Sequence, residues 1–358
     1  MNVTDRVRPA LAGFEPYDPA FSPCRINLSA NENTHEMPEA FMAAVHEAMV
    51  ATPLNRYPDP MANALREALA SWHGVTSRNV CVGNGGDELL FNLLFTFCGS
   101  GRPLVTCPPD FAEYANFAKM CETECVAVWR DPGDFSIDAD ALVTAASKAA
   151  LVIVTSPNNP TGDLVDPALV ARLLDETDAL VLVDEAYVEF APRGTSVVGM
   201  VANNPRLMVL RTLSKAFGMA GLRLGYLIAD PAVVDMLGAI RQIYSVDVVA
   251  QAAALAAVEN RALIGPAIDD VVSERAWLAG ELAGIPGVRL WPSCANFLLV
   301  RVPGASTVRA RLRDEHSILV RDFSYARGLE GCLRITVGTH EENECVVRAL
   351  SQLVKEES

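Results

Sequence analysis

Lys215 stands in Thr212-Leu213-Ser214-Lys215-Ala216-Phe217-Gly218, among hydroxyl, small and glycine residues, with Arg223 eight positions further on. The apolar run Leu207-Met208-Val209-Leu210 precedes it, and a second run from Leu224 to Ala229 follows the arginine. Two such runs read as short buried strands, which puts the lysine near the core, the alternative being a lysine on a surface loop. Desolvation near the core disfavours the ammonium and frees an amine that can attack a carbonyl.

Four other stretches carry groups that could join it. Val82-Gly83-Asn84-Gly85-Gly86-Asp87-Glu88 is a glycine-rich turn leading into an amphipathic helix. Its backbone amides suit a phosphate, although Asp87-Glu88 also makes a good helix start with nothing bound. Phe111 and Tyr114, in Cys107-Pro108-Pro109-Asp110-Phe111-Ala112-Glu113-Tyr114, can stack on a planar ligand or simply pack in the core. Ser156-Pro157-Asn158-Asn159-Pro160-Thr161-Gly162 is dense in turn formers. Asp184-Glu185-Ala186-Tyr187 puts a carboxylate at the end of an apolar strand, where it needs a partner, either a protein cation or a cationic ring nitrogen of a cofactor.

The elements that must position these groups alternate along the chain. Candidate strands are Val80 to Val82, Pro103 to Cys107, Glu124 to Trp129, Leu151 to Thr155, Leu180 to Val183, Leu207 to Leu210 and Leu224 to Ala229. Helical segments, including Asp87 to Phe97, Phe111 to Met120, Asp138 to Ser147 and Asp166 to Leu174, separate most of them. This predicts an α/β fold with a mostly parallel seven-stranded sheet, whose ligands sit at the carboxyl ends of the strands. Helices are predicted at Glu39 to Val50 and Met61 to Trp72 ahead of that sheet. After residue 230 come alanine-rich helices (Val246 to Val258, Glu274 to Ala283), short strands at Asn296 to Val302, Ser317 to Val320 and Cys332 to Val337, and a last helix from Glu341 to Val354. The expected domains are a proline-rich arm over 1–35 (Pro9, Pro16, Pro19, Pro23) packing with the small domain, a large domain over 36–230 and a small α+β domain over 231–358.

Composition narrows the function. The 358 residues are 51% hydrophobic and 20% charged, with a net charge of −15 and no basic run, which disfavours nucleic acid and anionic membrane surfaces. An anionic ligand therefore needs locally concentrated positive charge. Nine cysteines, an odd number and mostly in apolar company, read as reduced thiols of a cytoplasmic protein. Cys121 and Cys125 are four apart, but no second pair completes a zinc set, so no metal is expected.

A lysine, an acid, an aromatic ring, an asparagine turn and an anion turn at five strand ends fit pyridoxal 5'-phosphate. That cofactor needs a lysine for its Schiff base, an acid to keep its pyridine nitrogen protonated, a stacking ring and a phosphate cup. The motifs in their order also resemble a family. Arg211 to Phe217 with Ala220 to Tyr226, together with Asn55-Arg56-Tyr57-Pro58-Asp59, Ser156 to Gly162, Asp184 to Tyr187 and Leu333 to Thr339, are similar to the fold-type I, class I/II pyridoxal-phosphate aminotransferases, and within these to the histidinol-phosphate aminotransferase family. The resemblance runs from about Leu28 to the C-terminal helix.

The resemblance implies roles. Lys215 would bond the cofactor and move the substrate proton, Asp184 would pair with the ring nitrogen, Asn159 and Tyr187 would hold the phenolic oxygen, and Phe111 would stack. Gly86, Asp87, Thr212, Ser214 and Arg223 would hold the phosphate, with Tyr57 reaching it from the other subunit of a homodimer. Arg334 and Arg321 would grip substrate anions. The implied activity moves an amino group between L-histidinol phosphate and 2-oxoglutarate in histidine biosynthesis. An aromatic amino acid aminotransferase and a threonine-phosphate decarboxylase are the alternatives. Two positions depart from the family, Thr34 where a proline is usual and Ser245 where an asparagine is usual, both in stretches expected to meet the substrate side chain.

Overall fold

The computed structural model describes residues 3–14 and 23–357. Pro16 and Pro19 of the expected arm lie outside them. Strand β1 (Ile26–Leu28) comes first. The strands β2 (Val80–Asn84), β3 (Leu104–Thr106), β4 (Cys125–Ala127), β5 (Leu151–Thr155), β6 (Leu180–Asp184), β7 (Leu207–Thr212) and β8 (Leu224–Ile228) then form one sheet, in the order β2-β8-β7-β6-β5-β3-β4. β8 runs antiparallel to both β2 and β7, while the other pairs are parallel. Continuous apolar runs are required where both faces are covered, and all five residues of β5 are buried accordingly.

The second sheet is built from β9 (Arg289–Leu290), β10 (Phe297–Arg301), β11 (Ile318–Asp322) and β12 (Cys332–Thr336), with β1 added beside β11 in parallel. The arm thus contributes a strand that its proline content obscures, and this brings residues 29–38 back to the large sheet. Helices Glu39–Val50 and Asn63–His73 lie where periodicity predicts them to within two residues.

Three helical stretches differ from expectation. Pro231–Ile240 is a helix, capped by Asp230, whose carboxylate accepts from the Ala232 N–H at 2.8 Å. It buries Val233, Val234 and Leu237 in one cluster with Leu89, Leu90 and Leu93 of the helix Gly85–Phe97. Ala305–His316 is a further helix whose strongly polar face hides its period, and Glu274 to Ala283 is only the second half of Gly265–Ala283. No single helix among the described residues is long and apolar enough to cross a membrane. All nine cysteines are free, three buried and six half-buried.

Candidate active site

The parallel strands end together at one edge of the large sheet, and their C-terminal residues line a cavity of about 180 Å3. Lys215 enters it from the loop after β7, Asp184 from the end of β6, Tyr187 three residues later, Asn159 from the loop after β5, and Phe111 from the loop after β3. Gly86 and Asp87 supply the first turn of the helix Gly85–Phe97.

Asp184 forms the floor. It is buried, and its Oδ2 accepts from the Tyr114 hydroxyl at 2.7 Å while Oδ1 accepts from the Ala186 N–H at 3.1 Å. Tyr114 is in turn 2.9 Å from Thr155 Oγ1. Both partners of the carboxylate are neutral, and no lysine, arginine or histidine forms a salt bridge with it among the described residues. Desolvation therefore pushes its pKa up to about 6, against the Tyr114 hydrogen bond, which lowers it.

Lys215 is half-buried. Its Nζ donates to the Ala30 carbonyl at 2.9 Å and stands 5.8 Å from the centre of the Tyr187 ring. Desolvation, helped by the Arg334 charge, brings its pKa down to about 8, so a substantial fraction of the amine is neutral near that pH.

At the far end a cup of donors is held by close backbone packing. Gly225 on β8 leaves no room for a side chain, since a Cβ there would lie 2.6 Å from Gly86 N and 2.7 Å from Gly85 C. Gly85, at φ +78°, lies directly under the Arg223 guanidinium, which reaches Asp87 Oδ2 at 3.1 Å. The Thr212 hydroxyl donates to the Leu224 carbonyl at 3.0 Å, accepts from the Ser214 N–H at 3.0 Å and lies 2.9 Å from the Ser214 hydroxyl. Helix start, hydroxyls and guanidinium gather here the kinds of donor that suit an anion.

A second chamber of about 230 Å3 opens beyond Phe111, Asn159, Tyr187 and Lys215, which line both. Its far wall carries Arg321 of β11 and Arg334 of β12. Arg334 donates to Asn159 Oδ1 at 2.5 Å and to the Ser29 carbonyl at 2.6 Å.

Residues 25–350 match the model of the family "Aminotransferase class I and II". The chain belongs to the class I and II aminotransferases. Among its relatives, this aminotransferase is 35% identical over 354 residues to histidinol-phosphate aminotransferase of Thermoanaerobacter pseudethanolicus, covering 98% of this chain and 99% of the relative. It is 37% identical over 347 residues to the histidinol-phosphate aminotransferase of Thermococcus kodakarensis, with 97% and 98% covered. The fold matches the crystal structure of histidinol-phosphate aminotransferase from Sinorhizobium meliloti in complex with pyridoxal-5'-phosphate, at a TM-score of 0.89 and 24% identity over 99% of this chain and 98% of that one.

In this aminotransferase, Gly86, Asp87, Phe111, Asn159, Asp184, Tyr187, Thr212, Ser214, Lys215 and Arg223 come together around the first cavity, and Arg321 and Arg334 around the second. Tyr57 lies apart. It is 81% exposed and stacks on Tyr244 with centroids 4.6 Å apart, outside both chambers. Thr34 and Ser245 do not line the chambers either. The Thr34 hydroxyl donates to Glu342 Oε2 at 2.6 Å, and the Ser245 carbonyl accepts from Asn84 Nδ2 at 3.0 Å.

The supporting roles of three residues escape a sequence reading. Tyr114 and Thr155 support Asp184 from inside the fold, and Asn31 donates through Nδ2 to the Tyr187 hydroxyl at 3.0 Å. Asn31 is buried at φ +56°, with its N–H on Thr336 Oγ1 and its carbonyl accepting from Asn296 Nδ2. Asparagine tolerates that backbone region, which is the one local signal Asn31 carries.

Proposed function

We propose that the protein is a pyridoxal 5'-phosphate-dependent histidinol-phosphate aminotransferase, moving the amino group of L-histidinol phosphate to 2-oxoglutarate to give imidazole acetol phosphate and glutamate. The observation that carries the cofactor is Asp184: a buried carboxylate, whose partners among the described residues are neutral, facing the cavity that Lys215 enters. Such a group is poised for a cationic ring nitrogen, and the donor cup at the opposite end suits a phosphate. When bound, the cofactor supplies an electron sink that acidifies the substrate carbon bearing the amino group.

The chain's residues do the rest. Lys215 Nζ would hold the cofactor and is placed to carry the proton of the substrate carbon. Asp184 would keep the ring nitrogen protonated, Phe111 would stack on the ring, and Tyr187 and Asn159 would hold its phenolic oxygen. The Gly86 and Asp87 amides, the Thr212 and Ser214 hydroxyls and Arg223 would hold the phosphate. Arg334 and Arg321 bind the substrate anion, carboxylate in one half-reaction and phosphate ester in the other, because the guanidinium fork matches both. We assign the large domain to 36–230 and the small one to 231–358, with 1–35 as the arm, in a cytoplasmic homodimer. Exposed Tyr57 would complete the phosphate site of the other subunit, and sedimentation at working concentration tests the dimer.

The assignment is tested by half-reactions of the purified holoenzyme with histidinol phosphate, glutamate, phenylalanine and threonine phosphate. Histidinol phosphate is expected to react fastest. Equal or faster turnover of phenylalanine would make this an aromatic aminotransferase, and carbon dioxide release from threonine phosphate would make it a decarboxylase.

A further inference from the structure

Against the first cavity, whose lining includes Arg211, lies a buried charged cluster that the proposed chemistry does not use. Arg211 donates to Glu185 Oε2 from Nε at 3.0 Å and from Nη2 at 2.7 Å, and Nη2 also donates to Ser196 Oγ at 2.7 Å. The Ser196 hydroxyl donates to Glu185 Oε2 at 2.7 Å, and the Val197 N–H donates to Oε1 at 2.8 Å. Glu189 Oε1 stands 3.4 Å from Arg211 Nη1. Tyr226 is the register partner of Arg211 across β7 and β8, and its hydroxyl is 3.0 Å from His73 Nε2. Burial pushes His73 down to about 3, so its ring is neutral.

The placement of these residues follows the site. Glu185 directly follows Asp184, Arg211 directly precedes Thr212, and Tyr226 directly follows Gly225. Along β7 and β8 alternation turns Arg211 and Tyr226 away from Thr212 and Gly225, and the two pairs are register partners. Main-chain pairing of β6 with β7 ends at Asp184 opposite Leu210, with one last bond from the Glu185 N–H to the Leu210 carbonyl at 2.9 Å. Arg211 and Glu185 bridge the strands just where the ladder stops and the crevice opens.

We infer that Arg211, Glu185 and Tyr226 are positioning residues: they clamp the ends of β6, β7 and β8 so that Asp184 keeps its distance from the phosphate cup at Thr212, Ser214 and Gly225. Stability alone does not account for a buried ion pair here, because an apolar pair of similar volume is often as stable or more so. A guanidinium fork fixes distance and angle, which an apolar contact does not. The inference rests on the proposed cofactor, whose ring nitrogen and phosphate are the two ends being spaced.

The test uses Arg211→Met/Glu185→Leu, Glu185→Gln and Tyr226→Phe, each compared with wild type. The readouts are the melting temperature of the apo protein, the dissociation constant for pyridoxal phosphate by equilibrium dialysis, and kcat and KM of the holoenzyme. The apolar double variant is expected to melt near wild type yet bind the cofactor on the order of 10- to 100-fold more weakly, the range for outer-shell partners. Its kcat should fall while the KM for the amino donor stays within about twofold, since uniform substrate binding is untouched. Wild-type cofactor affinity and kcat in the double variant would overturn the inference. If that variant does not fold, Tyr226→Phe, which removes one oxygen, carries the same comparison, with a smaller loss of affinity expected and none overturning. Failure of the wild-type apo protein to bind pyridoxal phosphate would instead remove the cofactor reading itself.

Discussion

Arg321 and Arg334 are direct register partners across the antiparallel strands β11 and β12, and both line the outer chamber. Like charges opposite one another on a sheet are unfavourable, and an anion lying between them removes that cost. The acidic chain thus concentrates positive charge where an anionic substrate is proposed to bind.

Arg334→Gln should therefore lower kcat/KM for every amino donor. Charge-assisted hydrogen bonds contribute about 1.5–3 kcal/mol each, and losing a bidentate pair predicts a decline of roughly 10² to 10⁴-fold. Arg321→Gln should cost more with histidinol phosphate than with glutamate. Steady-state kinetics with both donors decide this, and an equal loss on both would remove Arg321 from phosphate recognition.

Lys215 has its pKa lowered to about 8, chiefly by desolvation and next by Arg334. Covalent attachment of pyridoxal phosphate to the apo protein needs the neutral amine, so its rate should rise with pH through a midpoint near 8. Removing a positive neighbour raises that midpoint, and Arg334→Gln should move it upward. Stopped-flow absorbance across pH reads both values. Lys215→Ala should abolish the visible band of the lysine-bound cofactor and essentially all turnover.

The Asp184 carboxyl is raised to about 6, mainly by burial. Between its ordinary range near 4 and that value the folded apo protein holds a proton the unfolded chain has lost, so this residue makes apo stability fall as pH rises across the window and contributes no further change above it. Asp110, also raised to about 6 by burial, adds a decline of the same sign. Asp184→Asn should flatten part of the decline, as measured by urea unfolding from pH 4 to 7. Tyr114→Phe removes a hydrogen bond that lowers the Asp184 pKa and should extend the decline to higher pH. An unchanged profile in both variants would mean Asp184 is not strongly desolvated.

Gly225→Ala would place a methyl group 2.6 Å from Gly86 N, against backbone that cannot rotate away. Overpacking of this kind costs about 1–3 kcal/mol and should displace the Gly85-Gly86 turn with Arg223 above it. Thermal unfolding should register the loss, and equilibrium dialysis should show cofactor affinity falling more steeply than in Gly221→Ala, where a Cβ meets nothing within 4 Å.

Much of the site was legible because its signals are local. An apolar run that must be a buried strand, followed by turn residues, puts Lys215, Asp184, Asn159 and the Gly85-Gly86 turn at strand ends whatever the order of the strands. The motifs in sequence order then carried the family. Helix Ala305–His316 and strand β1 were not legible, since one has a polar composition that masks its period and the other is three residues long in a proline-rich arm.

Only the tertiary structure decided the partners. Tyr114 meets Asp184 from 70 positions away and Asn31 meets Tyr187 from 156. Such pairs depend on which strands lie side by side and on where the arm returns, and neither is written in local composition. The same holds for the pairing of Arg321 with Arg334, which a one-residue slip in β11 would have turned to opposite faces. Residue chemistry was thus set along the chain, whereas the distances at which it acts came from sheet order and register.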